Sequence, residues 1–382
     1  MAGLYIHIPF CKSRCIYCAF YSTTLLDLRQ RYVDAVCREM LLRTTLPLDT
    51  IYLGGGTPSQ LTEGQLRKIF FNINKVYSPK GTTPDGFALE HAAPVEVTIE
   101  CNPDDVTDEF ASLLPQLGVN RVSMGVQTFD DRRLRFLHRR HSSSQVQQAF
   151  LLLRHAGIRN ISLDLMYGFP GETLADWQHD IDRAVALQPE HLSAYCLMVE
   201  EGTVLYEQMR NGKWKMRNDE AEELEREMYE VLIDRLASAG YEHYEISNFA
   251  RPGYRSRHNS SYWHDVPYIG LGAAAHSYDG RCRQWNVADI NDYMERVEHG
   301  ELPCDSEPID ETTHYNDSIT VALRTSDGLD LSTLPDKYRS YCMDEARRFI
   351  RDGLLSLHGN RLVLTRSGLF VSDYVMSALV YV

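Results

Sequence analysis

Between Leu4 and Tyr195 the sequence repeats one kind of unit: a short apolar run, then a junction rich in special residues, then in most cases a stretch of helical periodicity. The strand candidates are Leu4 to Ile8, Thr50 to Leu53, Val95 to Ile99, Arg121 to Val126, Asn160 to Leu165, and His191 to Tyr195. Tyr32, Val36 and Met40 recur at helical intervals, Thr62 and Gln65 have capping-box spacing, and helical stretches fall at 107–117, 142–156 and 173–187. Alternating strands and helices imply right-handed βαβ crossovers and a parallel sheet, with a site at the strands' C-terminal ends. Six strands fall short of a closed eight-stranded barrel. The expected fold is therefore α/β, a partial (β/α)6 barrel open on one side; a doubly wound sheet is the alternative.

The rhythm changes after Tyr195. Asp219 to Glu225 opens a long helix whose acidic run reads as a solvated face at a helix N-terminus, and Gly240 ends that helix. An aromatic and polar loop follows, from Tyr241 to Tyr278. Beyond a connector at Pro303 to Pro308, helices precede Leu354 to Leu357, a Gly359-Asn360 turn, and Arg361 to Leu364. Helices followed by such a hairpin suggest a small winged-helix-like module packed on the main domain. The expected division is 1–200 for the partial barrel, 201–300 for a barrel extension of additional α+β structure, and 301–382 for the C-terminal module. The Pro-, Gly- and Thr-rich stretch Ser78 to Pro94 reads as an exposed insertion.

A net charge of −14 carries no general electrostatic footprint for nucleic acid. No apolar run approaches a membrane span, and no basic segment precedes a signal-like apolar core, so an integral membrane protein is not expected and the cytoplasm is the default. Six scattered cysteines, Cys37, Cys101, Cys196, Cys282, Cys304 and Cys342, suit a reducing compartment as small buried side chains.

Three cysteines do cluster, in Cys11-Lys12-Ser13-Arg14-Cys15-Ile16-Tyr17-Cys18 directly after the first strand. An odd number with no regular spacing beyond it is a poor disulfide framework. A zinc site needs a fourth ligand, with His7 the nearest, and the cysteines could also be unrelated. A 4Fe-4S cluster on three thiolates, its fourth iron open to a ligand, explains the arrangement better. Gly54-Gly55-Gly56-Thr57-Pro58 follows the second strand and lacks the pattern of a P-loop or dinucleotide fingerprint. It lets backbone approach a small ligand's amino-acid or carboxylate portion. Glu100, Gln127 and Asp164 recur at or near strand ends, where one ligand can meet several strands, and Glu100 or Asp164 could grip ribose hydroxyls. Arg139 could meet a carboxylate with its bidentate fork. In His258-Asn259-Ser260-Ser261-Tyr262-Trp263, with Gly270 to Ser277 beyond it, aromatics could stack on a planar cofactor whose metal an imidazole ligates, or the residues could lock a glycine-rich loop.

Taken together, these motifs resemble the radical S-adenosylmethionine superfamily, in the branch containing oxygen-independent coproporphyrinogen III oxidase and its haem-chaperone relatives. Asp164 to Thr173 and Tyr244 to Ala250 also carry the resemblance, which extends over nearly the whole chain. It implies that Cys11, Cys15 and Cys18 ligate three irons and that S-adenosylmethionine chelates the fourth. It places Tyr5 and Tyr17 beside that cofactor, Gly55, Gly56 and Thr57 at its methionine part, and Glu100, Gln127, Arg139 and Asp164 at further cofactor contacts. His258 is the implied haem contact, which would make 201–300 a tetrapyrrole-associated region. The oxidase carries a fourth cysteine where this chain has Phe20, and it has an extended leader that this sequence lacks; both departures match the chaperones. The resemblance thus implies a haem chaperone delivering haem to membrane-bound respiratory haemoproteins, peripheral at the membrane during delivery and served by an electron donor such as flavodoxin or ferredoxin. The oxidase itself, and another radical enzyme acting on a tetrapyrrole, are the alternatives.

Overall fold

The computed structural model describes residues 2–77, 95–213 and 219–382, so the expected insertion at Ser78 to Pro94 lies outside the described residues. Six parallel strands lie side by side in chain order: β1 (Ala2–Ile8), β2 (Leu48–Gly55), β3 (Glu96–Cys101), β4 (Arg121–Gln127), β5 (Asn160–Tyr167) and β6 (His191–Cys196). Helices Arg29–Leu42 and Glu63–Tyr77, then Asp108–Gln116, Ser143–His155 and Leu174–Ala186, fall between successive strands. Crossovers of constant hand put all these helices on one face when the strand order never reverses. A doubly wound sheet needs a reversal, so that alternative does not form.

One-sided covering divides each strand by its two-residue period. Leu4, Ile6 and Ile8, Val122, Met124 and Val126, and Ile161, Leu163 and Leu165 share one buried cluster with Tyr32, Val36, Met40, Leu66 and Trp177 from the helices. The residues between them turn to the opposite face, which the crossover helices leave open, and they are mostly polar: Tyr5 and His7, Tyr52, Glu100, Ser123, Asp164 and Ser193. The Thr62–Gln65 capping box forms as spaced, each residue's backbone N–H meeting the other's side chain.

The sheet continues at both ends. Beyond β6 stand the antiparallel strands β8 (Asn248–Ala250) and β7 (Glu242–Glu245). Beyond β1 stands β9 (Tyr268–Leu271), a seventh parallel strand that the sequence pattern did not reveal, followed by the antiparallel β10 (His276–Tyr278), β11 (Cys282–Asn286) and β12 (Cys304–Pro308). The twelve strands form an open row from β12 to β7, with no closure among the described residues. Gly270 hid β9, because glycine weakens a strand pattern. The strand needs it: a Cβ there would lie 2.0 Å from the His276 carbonyl oxygen.

Helices Glu311–Ala322, Asp336–Arg351 and Ser372–Leu379 enclose a separate small core with Tyr315, Tyr338, Phe349, Leu362 and Val375. A three-stranded antiparallel sheet completes it, β13 (Leu329–Asp330) and β14 (Leu355–His358) flanking β15 (Arg361–Leu364), with Gly359 at φ +62° in the hairpin turn. This winged-helix-like unit is fastened to the main domain by Arg324 on Glu245 of β7 and by Arg366 on Asp234 of the helix Asp219–Ser238.

A buried carboxylate locks the β9–β12 extension to the barrel. Glu39, 0% exposed on helix Arg29–Leu42, accepts from Arg43 (2.8 Å), the Tyr293 hydroxyl (2.7 Å), the Gly272 N–H (2.9 Å) and the Asn286 amide (2.8 Å). Removing one member of a buried ion pair strands its partner, typically at a cost of about 3–5 kcal/mol. Glu39→Ala should lower the urea midpoint by an equivalent amount; a midpoint within error of the parent would mean the extension is held by apolar packing alone.

Candidate functional site

The cysteine loop leaves the end of β1 and is pinned at three places. Cys11 N–H donates to the Thr23 carbonyl (2.9 Å) and Thr23 N–H to that of Pro9 (2.7 Å), closing the loop's base. Its tip is held by Ile16, buried against Leu137, Leu205 and Met209, with backbone bonds to Leu137 and Leu205. On its flank, Lys12 pairs with Asp105 (3.3 Å), which also receives Ser59, Gln60 and Arg140.

The glycine run owes its composition first to this loop's own approach. Gly56 N–H donates to the Ile8 carbonyl (2.9 Å), and a Cβ on Gly56 would stand 2.6 Å from the Pro9 carbonyl carbon. Gly55 has φ +107°, and a Cβ there would stand 2.5 Å from the His7 ring. Both positions therefore exclude side chains, for space at each and for backbone conformation at Gly55.

Cys11, Cys15 and Cys18 line one cavity of about 540 Å³ together with Tyr17, Gly55, Gly56, Thr57, Glu100, Gln127, Arg139 and Asp164. Eleven of the residues expected at the site thus share one space; Tyr5 and His258 do not. Cys11 Sγ lies 3.4 Å from Thr57 Oγ1, and Arg139 Nη1 points at Cys15 Sγ (3.7 Å). Burial pushes the Cys11 and Cys18 thiols up, so a metal binding them must displace protons. Burial likewise raises the Tyr17 phenol, keeping it protonated. Among the described residues no three His, Cys, Asp or Glu side chains are grouped as ligands of a single metal ion, the arrangement the zinc alternative needs. A cubane binds thiolates at separate corners, and three unpaired cysteines on the wall of one cavity could hold it.

The polar strand ends are tied to one another. Glu100 accepts from Tyr52 (2.8 Å) at one oxygen and from Gly55 N–H (3.0 Å) at the other, so it supports the glycine run as well as lining the cavity. Burial pushes the Glu100 carboxyl up to about 7, against the lowering effect of the Tyr52 donor, while Asp164 nearby raises it further. Asp164 accepts from Ser123 (3.2 Å) and Ser162 (3.4 Å), and burial raises its carboxyl too. Gln127 ends β4 at a register shift with φ +67°, a conformation rare for a side-chain-bearing residue and often found at functional positions. Arg139 is oriented by the Gly125 carbonyl (2.6 Å) and by Asn102 (2.5 Å). Asn102 lines the same cavity and escaped the sequence reading, although its place just past a strand end, in Glu100-Cys101-Asn102-Pro103, was the signal available.

A second cavity, of about 660 Å³, adjoins the first: Ala19 and Phe20, directly after Cys18, line both. Its walls are aromatic, including Tyr5, Tyr21, Tyr262, Trp263, Tyr268 and Tyr278, and helix Glu311–Ala322 contributes Asp317, Ser318 and Val321. Tyr5 therefore faces this cavity, its hydroxyl on His7 Nδ1 (3.1 Å). His258, expected as a haem contact, lies apart from both cavities. Its ring is 1% exposed, lines neither cavity, and uses both nitrogens, Nδ1 with Thr50 Oγ1 and Nε2 with the Tyr262 hydroxyl (2.8 Å each). Helix Arg257–Trp263 starts at Ser256, and Glu96 caps its first N–H groups, which turns the His258 ring into the barrel. Burial lowers the His258 ring to about 3, so it is neutral. It serves as a bracket for Tyr262.

The profile of the Radical SAM superfamily matches residues 5–184, and that of the HemN C-terminal domain matches residues 309–371. The heme chaperone HemW of Bacillus subtilis is 35% identical, over 99% of this chain and 99% of its own. The heme chaperone HemW of Mycobacterium tuberculosis is 34% identical, over 99% of this chain and 94% of its own. The chain's fold matches that of coproporphyrinogen III oxidase (HemN) from Escherichia coli, a radical SAM enzyme, with a TM-score of 0.82 at 19% identity, covering 99% of this chain and 90% of that one. No helix among the described residues is long and apolar enough to cross a membrane.

A carboxyl held at about 7, above its ordinary 4.5, binds its proton more tightly in the folded chain. Stability from Glu100 is therefore fully present below the unfolded value and is lost as pH rises through the folded one. Urea midpoints of the metal-free chain, measured between pH 4.5 and 8, should fall with pH less steeply in Glu100→Gln than in the parent. Parallel slopes would remove Glu100 as the carrier of that proton.

Proposed function

The chain belongs to the radical SAM superfamily, among the proteins named heme chaperone HemW, and we propose that it binds haem and delivers it to membrane-bound respiratory haemoproteins. The observation that carries this reading is the near end-to-end match to HemW proteins, at 34–35% identity over 99% of the chain. The aromatic cavity of about 660 Å³ beside the cysteine cavity supports it, since a flat apolar ligand needs such walls. Phe20 supports it as well. It is 72% exposed between the two cavities, at the position where the oxidase carries another cysteine, and it offers no thiol there.

In this reading Cys11, Cys15 and Cys18 hold a 4Fe-4S cluster, and S-adenosylmethionine occupies the space between them and the strand ends. The cluster with its sulfonium ligand supplies reductive S–C bond cleavage, which here is secondary to a structural or regulatory role. Arg139, aimed at Cys15 Sγ, offers N–H groups to a thiolate. Gly55, Gly56 and Thr57 border the place for the ligand's amino-acid part, with Thr57 Oγ1 already against Cys11. Asp164, fixed by two serines, presents acceptor oxygens to paired hydroxyls. Glu100, protonated in part near neutral pH, becomes a full carboxylate when a cation enters, because an adjacent positive charge favours the ionised form.

Anaerobic reconstitution tests the proposal. The parent should take up iron, sulfide and about one haem per chain, and Cys15→Ala should lose the iron and sulfide. Coproporphyrinogen III with S-adenosylmethionine and reductant should remain undecarboxylated; protoporphyrinogen formed at catalytic rates would contradict the chaperone reading.

A further inference from the structure

The chaperone reading leaves the ligand to the haem iron unassigned. Both His258 nitrogens are engaged inside the barrel, with Thr50 and Tyr262, and ligating an iron would cost it at least one of these bonds. Two other imidazoles line the aromatic cavity. His7 is 6% exposed, and both its nitrogens are engaged, Nδ1 with the Tyr5 hydroxyl (3.1 Å) and Nε2 with the Tyr21 carbonyl (3.0 Å). His276, at the start of β10, is exposed, and its imidazole makes no hydrogen bond among the described residues. Its ring lies 6.5 Å from that of Trp285, tilted by 34°. Its lone pair is therefore available at the cavity wall.

The other oxygen and nitrogen groups around this cavity divide clearly. The Tyr278 hydroxyl donates to Asp265, and Arg283 is paired with Glu307 and Asp317. The Trp263 indole N–H is buried and finds no acceptor, while Arg324 stacks on its ring at 5.1 Å. No cysteine or methionine lines this cavity among the described residues. The space thus offers flat apolar faces and one unengaged imidazole.

Resting on the haem-chaperone reading, we propose that the aromatic cavity is the haem seat, with the His276 imidazole as axial ligand to the iron and His258 as the bracket that holds Tyr262 in the wall. Neutral imidazole is a common axial ligand of haem iron, and aromatic faces supply the contact area for the macrocycle. Because Ala19 and Phe20 line both cavities, the haem edge comes to lie beside the segment that follows Cys18.

The experiment is a haemin titration of the full chain, read by ultraviolet-visible and electron paramagnetic resonance spectra, for the parent, His276→Ala and His258→Ala. Circular dichroism controls for folding. His276→Ala should weaken haemin binding at least tenfold and lose the imidazole signature, and added free imidazole should restore that signature. His258→Ala should keep the parent's ligand-field spectrum with a smaller loss of affinity. If the parent binds haemin and His276→Ala leaves spectrum and affinity unchanged, the ligand assignment is wrong while the chaperone reading stands. The assignment is also wrong if well-folded His258→Ala loses the imidazole signature and His276→Ala keeps it. A parent that binds no haemin overturns both.

Discussion

Everything at this site follows from a sheet whose crossover helices all cover the same face. Six parallel strands in unreversed order bury alternate apolar residues beneath the helices and send the intervening residues to a shared concave face. Polar groups on that face have little water and must satisfy one another. Tyr52 and Gly55 N–H meet Glu100, two serines meet Asp164, and His191 bridges Ser162 to Tyr244. Arg121, 1% exposed on β4, puts a positive charge among them. It lowers the Glu100 and Asp164 carboxyls against the burial that raises them, and it helps burial keep His191 and His258 neutral.

The cysteine loop is the second constraint, and it depends on the first. It starts where β1 ends, and it lies against the glycine run at the end of β2 because Gly55 and Gly56 carry no Cβ. Glu100 then holds the glycine run from β3. A chain of contacts therefore leads from a half-buried strand residue to the position of Cys11. The same loop, continuing through Ala19 and Phe20, divides the cysteine cavity from the aromatic one. A cofactor on the cysteines and a ligand among the aromatics would share that wall, which gives each a physical route to sense the other.

Much of this was legible in the sequence because the strands carry dense apolar runs and end at conspicuous residues. All six expected strands form, and the cysteines, the glycine run, Glu100, Gln127, Arg139 and Asp164 meet in one cavity. What escaped has a physical reason in each case. The strand β9, Tyr-Ile-Gly-Leu, resembles a loop, since the tight passage by His276 demands glycine. Glu39 looks like a solvated residue of an amphipathic helix, because Gly272, Asn286 and Tyr293 come from over 230 positions away. His258 stands in a conspicuous aromatic motif, but a helix cap turns its ring inward. Local patterns give the strand faces; which imidazole remains free is decided by partners distant in sequence.

The central claim is that two adjoining cavities on one loop hold a cluster and a haem side by side. Electron spin relaxation tests it most directly: the chain is loaded anaerobically with the cluster and with manganese protoporphyrin in the place of haem, the cluster is reduced, and its relaxation is compared with and without the porphyrin, whose Mn(II) stays paramagnetic under the reductant. Adjacent seats predict marked acceleration of cluster relaxation by the manganese porphyrin, abolished when the diamagnetic zinc porphyrin replaces it. Cluster relaxation identical in all three samples, with both groups fully bound, would contradict the shared wall.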